Sequence, residues 1–331
     1  MLQFKKKTFN QIKIHSQYSI CEGALKIEDL KEYCKKNKIQ SVGLSDTYNL
    51  SGALEFSENI SSVGTQPIIG TQIQFKFKNL YGVIPLIAKN SKGYQNIIEL
   101  SSKAYLENLN SDEPHCSVDD LIKHHEGIII LSGSINNLIG KLFNKGLFED
   151  LEELVTILNE KFKENFYLEI QRHGDQNEKQ FEDFNLSISR KYQIPIIATN
   201  EVYYLNKAMH EAHDALMCIG QKTYINDQKR IKLTNNHYLK SSDEMFEIFK
   251  DLPEALENNY NLPYRCDFRP IPSKPILPSI SADAVNIDDK LKNDSLKGLE
   301  EKFINDPELI SKISNNNKIK ETYKSRLNHE I

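Results

Sequence analysis

Short apolar runs bounded by polar or turn residues recur along this chain at 11–15, 41–45, 67–75, 83–88, 127–132, 166–171 and 194–198, and each predicts a β-strand. Between most of them the apolar positions take up helical spacing. Leu30, Tyr33 and Cys34 fall on one face of a helix predicted over Ile27–Asn37, and the same periodicity covers 94–106, 148–162 and 177–192. Seven strands alternating with helices predict parallel βα units closing on one another. The fold class is therefore α/β, and the irregular spacing favours a distorted, TIM-like (β/α)7 barrel over an ideal eightfold one.

The pattern changes toward the C-terminus. Five of the eleven prolines fall between 263 and 278, which predicts an extended connector. Helical periodicity returns over 288–303 and 319–327. The last residues, 325–331, stop within that pattern without a capping signal, which predicts a chain cut from something longer. The expected organisation is a barrel at 1–262, a proline-rich connector at 263–282 and a helical segment at 283–331.

Composition narrows the class of protein. A chain of 331 residues with 39% hydrophobic and 27% charged residues can bury a sizeable core, and no apolar run approaches the roughly 20 residues of a membrane span. The charged start, Lys5-Lys-Lys7, has no apolar run behind it, so no secretory signal is predicted, and the lysines read as a solvated run. Five cysteines without C-x-x-C spacing predict reduced thiols and a cytoplasmic protein. A net charge of -4 offers no global attraction to nucleic acid.

In a parallel barrel the C-terminal strand ends converge on one face, and those positions here hold His15, Asp46, Gln72, Ser134, His173 and Glu201. His15 suits either a metal ligand or a hydrogen-bonded structural residue. Asp46 suits either an orienting carboxylate or a helix cap. Glu22, beside Gly23, either faces the site or forms a turn, and Glu201 is a ligand or a hydrogen-bond acceptor behind one. His210 and His213 share a helical face with core residues, which favours packing over metal binding. His115, His124 and His125 read as loop or helix-end residues. No phosphate-cradling glycine loop, nucleophile elbow or Walker motif is present.

These residues resemble the N-terminal polymerase and histidinol-phosphatase (PHP) domain of bacterial DNA polymerase III alpha subunits. The similarity runs from Ile14-His-Ser-Gln-Tyr-Ser19 with Glu22-Gly23, through Leu44-Ser-Asp-Thr-Tyr-Asn-Leu50, Gly52-Ala-Leu-Glu-Phe56 and Pro67-Ile-Ile-Gly70, to Tyr167-Leu-Glu-Ile-Gln-Arg-His-Gly174 and Ala198-Thr-Asn-Glu-Val202. Leu296-Lys-Gly-Leu-Glu-Glu301 and Arg326-Leu-Asn-His-Glu-Ile331 are similar to the start of that family's polymerase core.

The resemblance implies a barrel metal site built from histidines and carboxylates, which in some members activates water for phosphoester hydrolysis. The chain departs from that pattern at Lys13, Thr47, Gln72, Val83, Ser134 and Tyr203, each at a place where the family carries a ligand. What remains is a vestigial set, His15, Glu22, Asp46, His173 and Glu201. No metal is expected in the barrel, the weaker alternative being a single Zn²⁺ or Mn²⁺. Carboxylates left without cations are expected to have raised pKa values. Lys13 is expected to replace the metal charge among Glu22, Asp46 and Glu201.

The resemblance further implies that the catalytic aspartates and their Mg²⁺ lie downstream in the parent polymerase, with no catalytic residue in this chain. DNA, the proofreading exonuclease subunit and other replicase subunits are the implied partners. A stand-alone metal-dependent phosphoesterase of the same barrel family is the alternative reading.

Overall fold

The computed structural model describes residues 8–107, 114–275, 286–316 and 318–331. Among these, nine strands are formed: β1 (Gln11–Ile14), β2 (Ser41–Thr47), β3 (Gln66–Phe77), β4 (Leu80–Ala88), β5 (Cys116–Ser117), β6 (Ile128–Leu131), β7 (Phe166–Ile170), β8 (Ile196–Ala198) and β9 (Glu201–Val202). Their order is β8-β7-β6-β4-β3-β2-β1-β9, with β5 beside β3. The segment 196–202 pairs with β7 through β8 and with β1 through β9, so the curled sheet meets itself there.

All seven predicted strands form, but the sheet is mixed and not wholly parallel. β4 runs antiparallel to both β3 and β6. Only Lys78 and Asn79 separate β3 from β4, with Lys78 in the left-handed region at φ 52°, and so short a link makes a hairpin, not a crossover. β5 and β9, of two residues each, were too short to leave an alternation in the sequence.

Helices cover the outside of the sheet. Those at Ile27–Asn37 and Phe148–Phe162 form where the apolar spacing places them, and those at Ser91–Leu106 and Glu178–Tyr192 differ from it only at their starts. The helices at Ala53–Ser62, Val118–Lys123, Leu138–Asn144, Ser242–Ile248 and Pro253–Asn261 were not predicted from the apolar spacing. Strand parity divides the core. Ile129, Leu131, Tyr167 and Ile197 cluster on one face with Leu262 and Cys266, while Ile128, Ile130, Phe166, Leu168, Ile196 and Ala198 pack into the larger cluster that includes the helices. Glu169, Gln171 and Thr199 share the parity of the first group, so strand geometry sets them together with it.

The chain divides into two compact units, 1–272 and 273–331. The barrel unit thus runs past residue 262. Gln66 Nε2 donates to the carbonyls of Pro263 and Cys266, Phe268 packs on Tyr94 with ring centroids 4.8 Å apart, and Ser57 Oγ donates to the Pro270 carbonyl. These bonds hold the first part of the expected connector onto the barrel. Of the remainder of that connector, 276–282 lies outside the described residues.

The second unit holds helices at Ile287–Asn305, Pro307–Asn315 and Lys318–Glu330. Asp306 caps the middle one by accepting from Glu308 N and Leu309 N, and Phe303 and Leu309 are its buried apolar residues.

Candidate functional site

The pairing of β1 with β9 sets Lys13 opposite Glu201. The ammonium of Lys13 lies 3.4 Å from Glu201 Oε2 and 3.2 and 3.3 Å from the two carboxylate oxygens of Glu169, with Lys13 only 1% exposed. Gln171 Nε2 donates to Glu169 Oε1 at 2.7 Å, and the Thr199 hydroxyl donates to the same oxygen. Burial opposes charge on Lys13, but the coulombic pull and bonds of Glu169 and Glu201 outweigh it and raise the pKa.

Lys13 therefore reaches one of the three carboxylates expected for it. Its second partner, Glu169, was missed, although an acid amid Phe166-Tyr-Leu-Glu-Ile170 was the signal available. Glu22 and Asp46 are held by other donors. Ser16 N, Ser16 Oγ and Ser19 Oγ donate to Asp46 at 2.7, 2.8 and 2.7 Å, and Thr47 Oγ1 donates to Glu22 at 2.6 Å. Burial still raises the Asp46 pKa against those bonds.

The expected rise does not extend to Glu201. Burial pushes its pKa up, but Lys13, the bond and charge of His15, and Gln72 together hold it well below the usual carboxylate range. His15 Nε2 lies 3.1 Å from Glu201 Oε1, and Gln72 Nε2 donates to the same oxygen at 2.7 Å. Tyr203 stacks on His15 at 4.2 Å between ring centroids. Gly133, at φ 83°, turns the chain after β6 toward Ser134 and Asn137, and a Cβ there would stand 2.5 Å from that of Asn137. Asn137 bonds Ser134 and donates to Gln72 Oε1 at 3.3 Å.

His173 has both ring nitrogens committed to backbone. Nδ1 donates to the Asn236 carbonyl at 3.1 Å, and Nε2 accepts from Glu201 N at 3.2 Å, which fixes the neutral tautomer. Burial, with His237 and Lys240 nearby, lowers its pKa well below the usual value. His237, which the sequence did not single out, stacks on it at 4.0 Å and donates from Nδ1 to the Glu201 carbonyl at 3.1 Å. Its Nε2 is buried without a hydrogen-bond partner, 4.0 Å from Asp175 Oδ2. His213 Nε2 donates to the Glu22 carbonyl at 2.7 Å, and His210 lies against the Tyr204 hydroxyl, so the pair serves two different contacts.

A cavity of about 590 Å³ opens over this network. Thr47, Gln72, Val83, Ser134 and Tyr203 all line it, together with Glu22, Asp175, Glu201 and His237. The side chains do not fit the metal cluster that the family resemblance implies. An ammonium already bonds Glu169 and Glu201, an amide and an aromatic ring flank His15, and both nitrogens of His173 are spent on backbone. Among the described residues, no group of three or more His, Cys, Asp or Glu side chains is arranged to hold an ion.

Residues 11–173 match the family model described as the PHP domain. The DNA polymerase III subunit alpha of Rickettsia conorii is 35% identical over 329 residues, covering 98% of this chain and 28% of that protein. That of Borreliella burgdorferi is 36% identical over 321 residues, covering 92% and 28%. That of Caulobacter vibrioides is 33% identical over 305 residues, covering 88% and 26%. The chain thus spans about a quarter of the length of these curated relatives.

Proposed function

The chain belongs to the DNA polymerase III alpha subunit family, in the region that carries the PHP domain, and from that premise we propose that it serves DNA-directed DNA synthesis as a non-catalytic part of the replicative polymerase. Its barrel braces the polymerase core and docks the proofreading exonuclease subunit, while nucleotidyl transfer and its Mg²⁺ belong to aspartates outside these residues.

One observation carries the reading of the barrel. Lys13, held by Glu169 and Glu201, puts a fixed positive charge where a phosphoesterase would need exchangeable metal ions and a bound water. An ammonium neutralises carboxylates but has no open coordination position, so it cannot bind and deprotonate a water as a divalent ion does. Among the described residues no helix is long and apolar enough to cross a membrane.

The test has two parts. Elemental analysis of the purified protein is expected to find no stoichiometric Zn²⁺ or Mn²⁺, and phosphomonoesters are expected to survive incubation with either ion. Stoichiometric metal with turnover would replace this reading by that of a PHP phosphoesterase. Titration with the exonuclease subunit of the same replicase is expected to give a saturable complex, and its absence would remove the docking role alone.

A further inference from the structure

With a net charge of -4, the chain attracts nucleic acid only where the charge is locally reversed, and one such place lies away from the cavity floor. Between 219 and 235 the sequence holds four cations, Lys222, Lys229, Arg230 and Lys232, against one carboxylate, Asp227. The segment leaves the end of the helix His210–Gly220, and hydrogen bonds close it into a compact loop. Gln221 Nε2 donates to the Ile231 carbonyl at 3.0 Å, and Ile231 N donates to Gln221 Oε1 at 2.8 Å, which joins the two ends. Lys222 and Lys232 each stand one residue beyond that joint.

Within the loop Asp227 is the organising residue. Its N–H donates to the Tyr224 carbonyl at 3.0 Å, its Oδ1 accepts from Lys229 N at 2.8 Å, and its Oδ2 accepts from the Thr223 hydroxyl at 3.0 Å. Arg230 forks onto Asp214 and donates from Nε to the Ile225 carbonyl at 3.2 Å. The Arg230 bond holds the Asp214 pKa down and the Lys229 N–H bond that of Asp227, and the charge of Lys232 adds to both effects, so its ammonium stands near the pair. Both carboxylates are thus spent on these bonds. Lys222, Lys229 and Lys232 are exposed and make no ion pair among the described residues.

The loop also exposes apolar surface beside that charge. Tyr224 is 85% exposed, and Ile225 and Ile231 are each more than half exposed. A phenol ring so open offers its faces to a flat partner, and every nucleic-acid base has such a face. In a duplex those faces are covered by neighbouring bases, which selects the unpaired strand. The phosphates of a strand are spaced along it, so cations spread over one loop meet them in turn and need not converge on one point.

We propose that the loop 221–232 is a contact site for single-stranded DNA, with Tyr224 stacking on an unpaired base and Lys222, Lys229 and Lys232 meeting phosphates along the strand. Lysine ammonium groups act on phosphate as point charges and read no base edge, so binding is tolerant of sequence. DNA, not RNA, follows from the proposed role in DNA synthesis. The contact itself stands on the loop alone, so its failure would leave the metal-depleted floor and the docking of the exonuclease subunit as they are.

Fluorescence anisotropy of a labelled mixed-sequence oligodeoxynucleotide of about 16 nucleotides, titrated with the full chain at several salt concentrations, tests it. Saturable binding is expected with a dissociation constant of about 1–100 µM, and affinity should fall with salt at a log–log slope of about -2, the value for three phosphates of a single strand. Tyr224→Ala is expected to weaken the single strand about tenfold and to leave binding of the matching duplex unchanged, while Tyr224→Phe binds as the native chain does. Lys222→Ala, Lys229→Ala and Lys232→Ala together are expected to flatten the salt slope toward zero. All four side chains are exposed, and circular dichroism checks that the variants fold. No binding at millimolar concentration, or binding untouched by both sets of substitutions, would overturn the inference. So would polyglutamate bound as tightly as the oligonucleotide with the same dependence on Tyr224, which would make the partner an acidic protein.

Discussion

At the scale of single residues, Lys13 decides whether the barrel floor is stable. Its two carboxylate partners are both nearly inaccessible, and removing one member of a buried ion pair leaves charge without compensation. Lys13→Met is expected to cost about 3–5 kcal/mol, read as a lower urea midpoint at unchanged slope. Adding Glu169→Gln to that variant removes one orphaned charge and is expected to recover part of the loss, a coupling that a double-mutant cycle measures directly.

Two further buried residues contribute to the pH dependence. Burial lowers His237 from 6.5 to about 4 despite the nearby Glu201, so between those values the unfolded chain binds a proton that the folded chain refuses. Stability from this group is complete above pH 6.5 and falls as pH drops toward 4, by about 3 kcal/mol. Lys240, only 4% exposed, donates to Asn200 Oδ1 and the Asn236 carbonyl, and burial lowers it from 10.5 to about 8. The folded state releases that proton first, so stability gains from this residue as pH rises from 8 to 10.5. Denaturant melts across both windows check the signs, and Lys240→Met is expected to abolish the alkaline gain.

At the scale of elements, closure of the sheet depends on a helix that was not predicted from the apolar spacing. Asn259, in the helix Pro253–Asn261, is fully buried and spans the joint. Its Oδ1 accepts from Asn10 N at 2.8 Å, and its Nδ2 donates to the carbonyls of Asn10 and Ala198 at 2.9 and 3.0 Å. Three bonds thus tie the entry to β1 and the end of β8 to one side chain. Asn259→Ala leaves those backbone groups unmet and is expected to cost about 3 kcal/mol, seen as a lower thermal midpoint and faster amide exchange in β1 and β8.

The same joint marks the limit of what the sequence disclosed. Strands long enough to show an apolar run were legible, as were the helices with a clear stripe, because burial on one side imposes a period. β9 has two residues and is defined by its pairing with Lys13 and Ile14, a contact spanning nearly two hundred residues that leaves no local mark. The site divides similarly. His15, Asp46, Gln72 and Glu201 stood at visible strand ends, whereas His237 and Asp175 come from loops that only the closed fold brings beside them.

At the scale of the whole molecule, the three clusters of buried apolar residues that build the core draw all their members from Phe9 to Cys266. The unit 273–331 has its own small core around Phe303 and Leu309, with Lys324 paired to Glu300 at 2.6 Å. Leu296, Leu299, Ile313, Ile319 and Leu327 are half-buried, and Leu291, Ile304 and Ile310 remain at the surface. Three helices with two buried apolar residues between them bury little apolar area, and small units of that kind are marginal alone. The barrel should therefore set the main unfolding transition. A chain ending at residue 275 keeps every member of those three clusters and every bond of the Lys13 network, so it is expected to unfold within a few degrees of the full chain by calorimetry. The full chain should add to that transition only a weak, low-temperature loss of helical signal. A fall of more than about 10 °C on truncation would mean that the helical unit stabilises the barrel directly.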